Sequence, residues 1–480
     1  MRKALSRKNL WEASPRWVKN SIGKVFGLFP AANILGGGFR SNLRFARETE
    51  QWPSGKTKDY QLQQLQEVLR RAYEKTDYYR EQFDRIGFRP EDFKSVEDMS
   101  SLPFIDKGIV IGNLDRMMTT PKDTAGIDYV ATGGSSGNQL RFYIDAGRSA
   151  TEFAYLSASW ERCGYQVGMP TAVLRGQIVP PDRNGLRHEF DPILRRHYYS
   201  NFHMDETSIK RYLQHIETIG PCFLLCYPSS AFAIAQFLVK TRTSFNAQIK
   251  GVLIGSENVY PDQRKYIEEA LGCRCFSWYG HSEKLVMAAE CESSSDYHVW
   301  ATYGYCELID EKGSPIRLAG QRGEIVGTGF INTVVPFIRY RTGDYAEYVG
   351  DRCEACGRET MILRNLEGRW PQGDLVGKDG GLISMTTVNV HDDTFDKVRD
   401  YQFRQSVPGQ AILSVVPLGD LTENDRKRIV EAMNKRLQGQ ITLELKVRSE
   451  LVQTGRGKIM RVVHEGALAI KDTTAKRGAE

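Results

Sequence analysis

Short apolar runs alternate with amphipathic segments over the middle of this chain, and this alternation predicts an α/β fold. Over 62–83, apolar side chains recur at three- and four-residue spacings, which is typical of a helix. Further along, strands are predicted at 172–174, 223–226 and 251–255, and helices at 151–163, 229–240 and Pro261–Leu271. Because these strands are short and almost wholly apolar, we expect a large domain of parallel sheets covered by helices, with ligand sites at the strand ends.

The pattern changes to β after residue 303 and predicts a small β subdomain, followed by a separate small α+β domain. Strands are predicted at 304–310, 323–328 and 337–340, and then in a β-α-β order at 403–408, 411–417, Glu423–Leu437 (helix) and Thr442–Val447. A glycine-rich stretch separates the two parts. We predict a basic N-terminal arm at 1–58, the large domain at 59–367, a hinge at 368–382, a mobile C-terminal domain at 383–470 and a disordered tail at 471–480.

Composition and charge narrow the classes of function. The chain has 480 residues and a formal net charge of +6, and no long aromatic and basic run predicts nucleic-acid binding. No apolar stretch reaches membrane-spanning length, and charged residues interrupt the apolar ones near the N-terminus, unlike a signal peptide. We therefore expect a cytoplasmic protein with reduced thiols. The aromatic and basic residues of 11–29 either pack on the protein itself or form a peripheral helix on a membrane surface.

Six small residues lie between two alternating apolar runs, 127–132 and 140–145. They read Thr132-Gly133-Gly134-Ser135-Ser136-Gly137. Alternation on both sides predicts two strands joined by a tight loop. Backbone N–H groups and short hydroxyls in such a loop make a phosphate cradle, although a plain hairpin tip has the same composition. The loop matches neither the Rossmann nor the Walker pattern.

Two further motifs follow predicted strands. Tyr279 and Gly280 offer an aromatic face beside a glycine, which suits stacking on a base, and Glu283 suits a hard cation such as Mg²⁺. In the second motif, Asp344 on a glycine turn can accept two hydrogen bonds from a ribose diol, and Arg341 can face a phosphate. Ordinary surface turns are the alternative for both motifs.

A lysine near the C-terminus adds a cation to this set. Lys458 lies in the glycine loop 455–458, where a mobile lysine can neutralise charge that forms between a carboxylate and a phosphate. A solvated surface lysine is the simpler interpretation.

The chain resembles the adenylate-forming (acyl-adenylate synthetase) superfamily in the order and spacing of five motifs, at 132–137, 279–283, 340–344, Gly368-Arg369 and 455–458. The resemblance runs from about residue 60 to 465. It is closest to the phenylacetate–CoA ligase-like branch, and within that branch to the capsular-polysaccharide-associated members.

The resemblance implies a role for each motif. Loop 132–137 holds the ATP phosphates, Ser256 and Glu257 lie along the adenine, Tyr279 stacks on the adenine beside Gly280, Glu283 binds Mg²⁺, Asp344 holds the ribose, and Lys458 bridges the acid and the α-phosphate. Tyr227, Trp278 and His281 are placed near the acid, and ordinary core packing is the alternative for them.

The resemblance also implies a reaction. An ATP- and Mg²⁺-dependent ligase would convert a carboxylic acid into an acyl-AMP and transfer the acyl group to CoA. The alternatives are transfer to an amine or hydroxyl, in surface polysaccharide or secondary metabolite biosynthesis, and a non-catalytic binding protein. Two positions depart from the family: Asn138-Gln139 in the loop, and Trp370-Pro371-Gln372 at the hinge, where relatives tend to have an Asp pair. The second departure bears on the domain rotation that the thioester step needs.

Four residues outside these motifs have the spacing of a metal site. Cys353 and Cys356 form a C-x-x-C turn followed by glycine, and Cys291 and His298 lie seven residues apart. Together they predict a closed Cys₃His zinc site with a structural role, with Cys306 as a substitute ligand. Reduced free thiols or a redox pair are the alternatives.

Overall fold

The computed structural model describes residues 29–132, 140–368, 373–388, 393–452, 460–466 and 468–469. Within these ranges the α-helices are α1 (Ala31–Ile34), α2 (Gly37–Thr49), α3 (Ser54–Lys75), α4 (Asp77–Arg85), α5 (Lys107–Asn113), α6 (Arg148–Glu161), α7 (Glu206–Glu217), α8 (Pro228–Thr241), α9 (Pro261–Leu271), α10 (Met385–Val388) and α11 (Glu423–Leu437). Short 3₁₀ helices span Pro90–Asp92, Val96–Ser101, Leu114–Met117 and Asp393–Phe395.

The same ranges contain the strands β1 (Ile127–Ala131), β2 (Arg141–Asp145), β3 (Thr171–Leu174), β4 (His188–Asp191), β5 (Arg196–Tyr199), β6 (Cys222–Cys226), β7 (Ile249–Gly255), β8 (Cys275–Gly280), β9 (Met287–Glu290), β10 (Tyr297–Val299), β11 (Gly304–Ile309), β12 (Arg322–Gly329), β13 (Tyr340–Gly350), β14 (Ile362–Glu367), β15 (Asp374–Val376), β16 (Leu382–Ser384), β17 (Val398–Val407), β18 (Gln410–Pro417), β19 (Thr442–Val447) and β20 (Val462–His464).

One twelve-stranded mixed sheet forms the centre of the molecule, in the order β11-β12-β13-β14-β10-β9-β8-β7-β6-β3-β5-β4. The run from β5 through β3, β6 and β7 to β8 is parallel. Helices α7, α8 and α9 bury one face of this run, where Leu224 and Ile254 pack in a large apolar cluster, and Trp160 of α6 covers the other face. The predicted α/β class, with parallel strands covered by helices, is confirmed.

Strands β11 to β14, predicted to form a small β subdomain, belong to this same sheet rather than to a separate one. Antiparallel pairing of β10 with β14, at Tyr297 and Leu363, joins the two halves. The strand predicted at 337–340 is wrong in its bounds, because β13 begins at Tyr340. Arg339, with a φ of +49°, breaks the extended conformation there, so the apolar residues before it enter the core from a loop.

The N-terminal part of the described chain packs on the body of the protein. Phe39 and Leu43 of α2 are buried against Tyr155 of α6 and Trp300. Most of segment 11–29, for which packing on the protein and a membrane-surface helix are the two alternatives, falls outside the described residues. Among the residues that are described, no helix combines the length and the apolar character needed to cross a bilayer.

The C-terminal part forms its own four-stranded sheet, in the order β19-β18-β17-β20, with α11 packed on it. Helix α11 begins with a capping box between Thr422 and Asp425, and its bounds agree with the sequence prediction. The glycine-rich stretch predicted as a hinge contains the β15 strand and leads into β16, so the described part of it is a hairpin.

Candidate active site

The carboxyl ends of the parallel strands meet at one edge of the sheet, where α/β folds place their ligand sites. Side chains at or just after these ends are Arg175 after β3, Tyr227 after β6, Ser256 and Glu257 after β7, and Trp278 and Tyr279 at the end of β8. The sequence motifs that follow separate strands therefore share one region.

Tyr279 and Asp344 connect two of the predicted motifs. The Tyr279 hydroxyl donates a hydrogen bond of 2.8 Å to Asp344 Oδ2, and both side chains are buried. Burial and the neighbouring Asp344 carboxylate raise the pKa of Tyr279 well above its ordinary value, so the phenol keeps its proton. The two residues predicted to hold the adenine and the ribose are thus in direct contact.

Asp344 lies inside β13 rather than on the strand-ending turn that the sequence predicts. The pairing of β12 with β13 shifts register between Glu324 and Val326, and Gly343 has a φ of +73°. This irregularity lets the strand continue to residue 350 while it changes the direction of the side chains near Asp344.

Glu283 lies in a buried polar environment. Its side chain is 2% exposed, and the Tyr340 hydroxyl donates to Oε1 at 3.3 Å. His281 Nδ1 lies 3.3 Å from Oε2, but neither ring nitrogen of His281 forms a hydrogen bond with a described residue. A carboxylate and an adjacent imidazole with unused nitrogens provide the chemistry expected near a divalent cation and a bound substrate.

Three glycines fix the chain directly after Glu283. A Cβ atom added at Gly304 would lie 1.9 Å from the Leu285 carbonyl oxygen, and one added at Gly327 or Gly329 would lie 2.7 Å from the Leu285 side chain. Any side chain at these positions would displace Leu285, and with it the carboxylate two residues earlier.

The loop after β7 connects this edge to the C-terminal part of the chain. Glu257 accepts hydrogen bonds from the backbone N–H of Ser229 at 3.0 Å, from its hydroxyl at 3.1 Å, and from the hydroxyl of Ser384 at 2.5 Å. Asn258 Oδ1 accepts from the backbone N–H of Gly368 at 2.9 Å. The predicted adenine-binding segment therefore contacts residues on both sides of the predicted hinge.

Sequence reasoning missed Arg175. Its guanidinium lies 4.7 Å from the centre of the Trp278 ring and 5.4 Å from that of Tyr227, and it donates to the Ser256 hydroxyl. Burial lowers the pKa of Arg175, although a guanidinium remains charged in proteins. The available signal was an arginine directly after the apolar run 171–174, at a strand end.

Other predicted residues have different surroundings. Arg341 forms an ion pair with Glu324, with Nε at 2.8 Å from Oε2, so its charge has a protein partner. Thr132 closes the β1–β2 pair: its N–H donates to the Leu140 carbonyl at 2.8 Å, and its hydroxyl accepts from the Leu140 N–H at 3.2 Å. The remaining loop residues Gly133, Gly134, Ser135, Ser136 and Gly137, together with Lys458, lie outside the described residues.

The four predicted zinc ligands come together. One ligand atom from each of Cys291, His298, Cys353 and Cys356 lies within 4.8 Å of every other, and Cys306 is not in this group. Cys356 Sγ is 3.3 Å from His298 Nε2, and His298 Nδ1 is 3.0 Å from the Asp296 carbonyl oxygen. The contact of Nδ1 with this carbonyl orients the ring so that Nε2 faces the cysteine sulfur atoms.

The cluster joins two hairpins, since two ligands lie around β9–β10 and two lie between β13 and β14. Backbone N–H groups of Ser293 and Ser294 donate to Cys291 Sγ at 3.4 and 3.2 Å, an arrangement that suits a thiolate. Burial lowers the pKa of His298 to about 4, so the imidazole is neutral and has a lone pair for a metal. These donors fit a tetrahedral zinc ion.

Comparison with known proteins bears on the class of protein. No family model matches the sequence. The chain is 23% identical to protein CapK of Staphylococcus aureus over 69% of this chain and 71% of that protein, and 22% identical to phenylacetate-coenzyme A ligase of Thermus thermophilus over 73% and 76%. Its fold resembles 2-hydroxyisobutyryl-CoA ligase in its thioesterification state, with a TM-score of 0.57, 19% identity, and 89% and 94% of the two chains covered.

The chain therefore shares, over nearly its whole length, the fold of this CoA ligase. Its sequence relatives, protein CapK and several phenylacetate-coenzyme A ligases, resemble it over about two thirds of the chain, so the chain is similar to the phenylacetate–CoA ligase-like branch. The resemblance predicted from the motifs is confirmed.

Proposed function

We propose that this protein is an ATP- and Mg²⁺-dependent ligase that activates a carboxylic acid as an acyl-AMP and transfers the acyl group to CoA. One observation carries the proposal: the Tyr279–Asp344 hydrogen bond joins the two predicted nucleoside-binding motifs at the strand-end edge that also holds Glu283. The relatives named as CoA ligases support the same class of reaction.

The chemistry suits these residues. A carboxylate is a poor acyl donor, and attack of its oxygen on the α-phosphate of ATP, with release of pyrophosphate, creates a good leaving group. Asp344 holds the ribose hydroxyls and Tyr279 orients Asp344, which fixes the α-phosphate relative to the acid. Glu283 is the residue that would hold Mg²⁺, which neutralises phosphate charge when bound. Lys458 supplies the cation between the two anions.

The acid pocket lies between aromatic rings and one cation. Tyr227 and Trp278 flank Arg175, and His281 lies beside Tyr279, with ring centres 5.8 Å apart. Aromatic walls bind the apolar body of an acid, and a guanidinium binds a polar or anionic group on it. We expect an acid that carries such a second group.

The relatives support one acceptor: CoA is preferred over an amine or hydroxyl because several of them are named phenylacetate-coenzyme A ligase. A role in capsular polysaccharide formation is proposed from the motif resemblance to capsular-polysaccharide-associated members, and protein CapK is among the sequence relatives. The cysteine cluster is proposed as a structural zinc site that fixes the hairpins following β8 and β13. A cytoplasmic enzyme would have ATP, CoA and reduced thiols available.

Pyrophosphate exchange tests the proposal. The protein is incubated with ATP, Mg²⁺, labelled pyrophosphate and a panel of aliphatic, aromatic and hydroxy acids, and label entering ATP is measured. We expect exchange that depends on an acid and is lost in Asp344→Asn but kept in Asp115→Asn, an exposed carboxylate elsewhere. Added CoA should then yield a thioester. Trapping by hydroxylamine without thioester formation would favour an amine or hydroxyl acceptor, and no exchange with any acid together with no ATP binding would favour a binding protein.

A further inference from the structure

A second group of metal-binding side chains lies at the far edge of the large sheet, away from every motif considered above. One nitrogen from each of His188, His197 and His215 lies within 4.8 Å of the other two. The sequence gives no spacing signal for this group, because the three residues lie on two strands and a helix.

Strand register explains how the histidines meet. In the antiparallel pair β4–β5, His188 is opposite Tyr199 and Phe190 is opposite His197, so all four side chains are on one face. Helix α7 lies against this face, with Tyr212 packed against Tyr199 and His215 in its last turn. The ring of His215 lies 4.2 Å from that of His188, centre to centre.

The distances suit a shared metal ion. His188 Nε2 and His197 Nδ1 are 3.1 Å apart. Two imidazole nitrogens bound to one tetrahedral zinc at about 2.0–2.1 Å would lie about 3.3 Å apart. The separation of these two nitrogens is therefore close to the one that a shared metal ion requires.

The surroundings leave room for an open coordination position. All three histidines are half-buried, so solvent reaches the group. The Tyr199 hydroxyl lies 2.7 Å from His215 Nδ1 and holds that ring in place from the side. Three imidazoles with access to water are the ligand set of an open zinc-type site, whereas the closed Cys₃His group has four protein ligands.

We propose that His188, His197 and His215 form a second metal site, which binds a divalent transition metal of the zinc class and fastens the edge strand β4 to helix α7. This site goes beyond the proposed ligase function and does not depend on it. A metal ion that links β4 to α7 would stabilise this edge of the sheet, since β4 is the last strand and has only β5 beside it.

Cobalt binding separates the two sites in the full chain. Chelator-treated protein is titrated with Co²⁺ while the absorption spectrum is recorded. Thiolate ligands give strong near-ultraviolet charge-transfer bands, and an all-imidazole site gives only weak visible bands. We expect two equivalents in the unaltered protein, one with the thiolate bands and one without.

Variants assign each equivalent. His197→Gln and His215→Gln should each remove the equivalent without thiolate bands, Cys353→Ser should remove only the other, and the control His464→Gln, whose ring faces the Asp374 carbonyl, should keep both. Circular dichroism checks that each variant is folded. If one of the two histidine variants does not fold, the other still tests the site. A single thiolate-type equivalent that the histidine variants leave unchanged would overturn the proposal. The histidine site is still tested if the cysteine cluster binds no metal, because the equivalent of Co²⁺ that binds without thiolate bands is counted separately.

Discussion

The Tyr279 hydroxyl donates a 2.8 Å hydrogen bond to Asp344, a residue 65 positions later on a different strand of the sheet. This contact predicts the effect of Tyr279→Phe. The variant keeps the ring but leaves the carboxylate without this donor, and a hydrogen bond to a charged group contributes about 1.5–3 kcal/mol. We expect KM for ATP in the exchange assay to rise by about tenfold or more.

Tyr297→Phe is the matched control for that substitution. The Tyr297 hydroxyl also donates a 2.8 Å hydrogen bond, to Ser277 on another strand, but not to a predicted nucleotide ligand. It should lose stability without a selective change in KM for ATP. Equal effects of the two variants on KM would contradict the role given to Asp344.

Removal of the Lys458 charge should stop adenylation. We expect Lys458→Ala to lower the rate of acyl-AMP formation by about a hundredfold or more, because a cation that acts on charge in the transition state contributes about 3 kcal/mol or more. Lys446→Ala removes a lysine paired with Glu444 on β19 and should leave the rate unchanged. Exchange at the unaltered rate in Lys458→Ala, measured at saturating acid and ATP, would remove Lys458 from the mechanism.

Arg175 should decide which acids are used. Arg175→Met removes the cation but keeps an apolar stem between Tyr227 and Trp278, so kcat/KM for acids with a second polar group should fall by about tenfold relative to apolar acids. Arg175→Lys restores a positive charge and should recover part of this preference. An unchanged ranking of acids in the Met variant would show that the pocket lies elsewhere.

Loss of one cysteine should release the structural metal. Cys353→Ser leaves three ligands of the four, and we expect the purified variant to contain about one zinc fewer per chain and to melt several degrees lower. Cys163→Ser replaces a cysteine outside the cluster and should keep the metal. Zinc content that is the same in both variants would exclude the Cys₃His assignment.

A buried ion pair gives a prediction about stability. Arg339 and Glu307 are both almost fully buried, with guanidinium-to-carboxylate distances of 2.9 and 3.1 Å, and Arg339 also donates to the Leu102 carbonyl. Arg339→Met leaves the Glu307 carboxylate unpaired, which should lower the free energy of unfolding by about 3–5 kcal/mol.

The exposed pair of Arg322 and Glu367 is the control for this substitution, and Arg322→Met should cost less than about 1 kcal/mol. Denaturant unfolding followed by fluorescence measures both variants. Similar losses would mean that burial does not determine the strength of these pairs.

Local sequence patterns predicted several regular elements with their bounds, but the single helix predicted over 62–83 is wrong, because the extended conformation of Thr76 divides it into α3 and α4. Helices α9 and α11 and strand β19 have the predicted bounds, because each has a clear periodicity and a clear start or stop signal. The grouping of Cys291, His298, Cys353 and Cys356 was also predictable, since two cysteines in one turn carry a spacing signal that does not depend on the rest of the fold.

Features that depend on distant pairing were not predictable in this way. The β10–β14 pairing that makes one sheet of two halves and the backbone irregularity at Gly343 arise from register, which no local window contains. Arg175 was missed for a related reason: its partners Tyr227, Trp278 and Ser256 lie at or just after the ends of three other strands and meet it only at the sheet edge.

The three glycines against Leu285 have a consequence for the substitutions that this protein tolerates. Gly304, Gly327 and Gly329 contact the chain beside Glu283 from strands whose residues are far from it in sequence. In a deep mutational scan selected for activity, substitutions at these three positions should therefore lower activity. What each position contributes is the absence of a side chain, which leaves space for Leu285. Positions that matter because they are empty leave no chemical signature in a motif search, and a survey that scores only reactive side chains would overlook them.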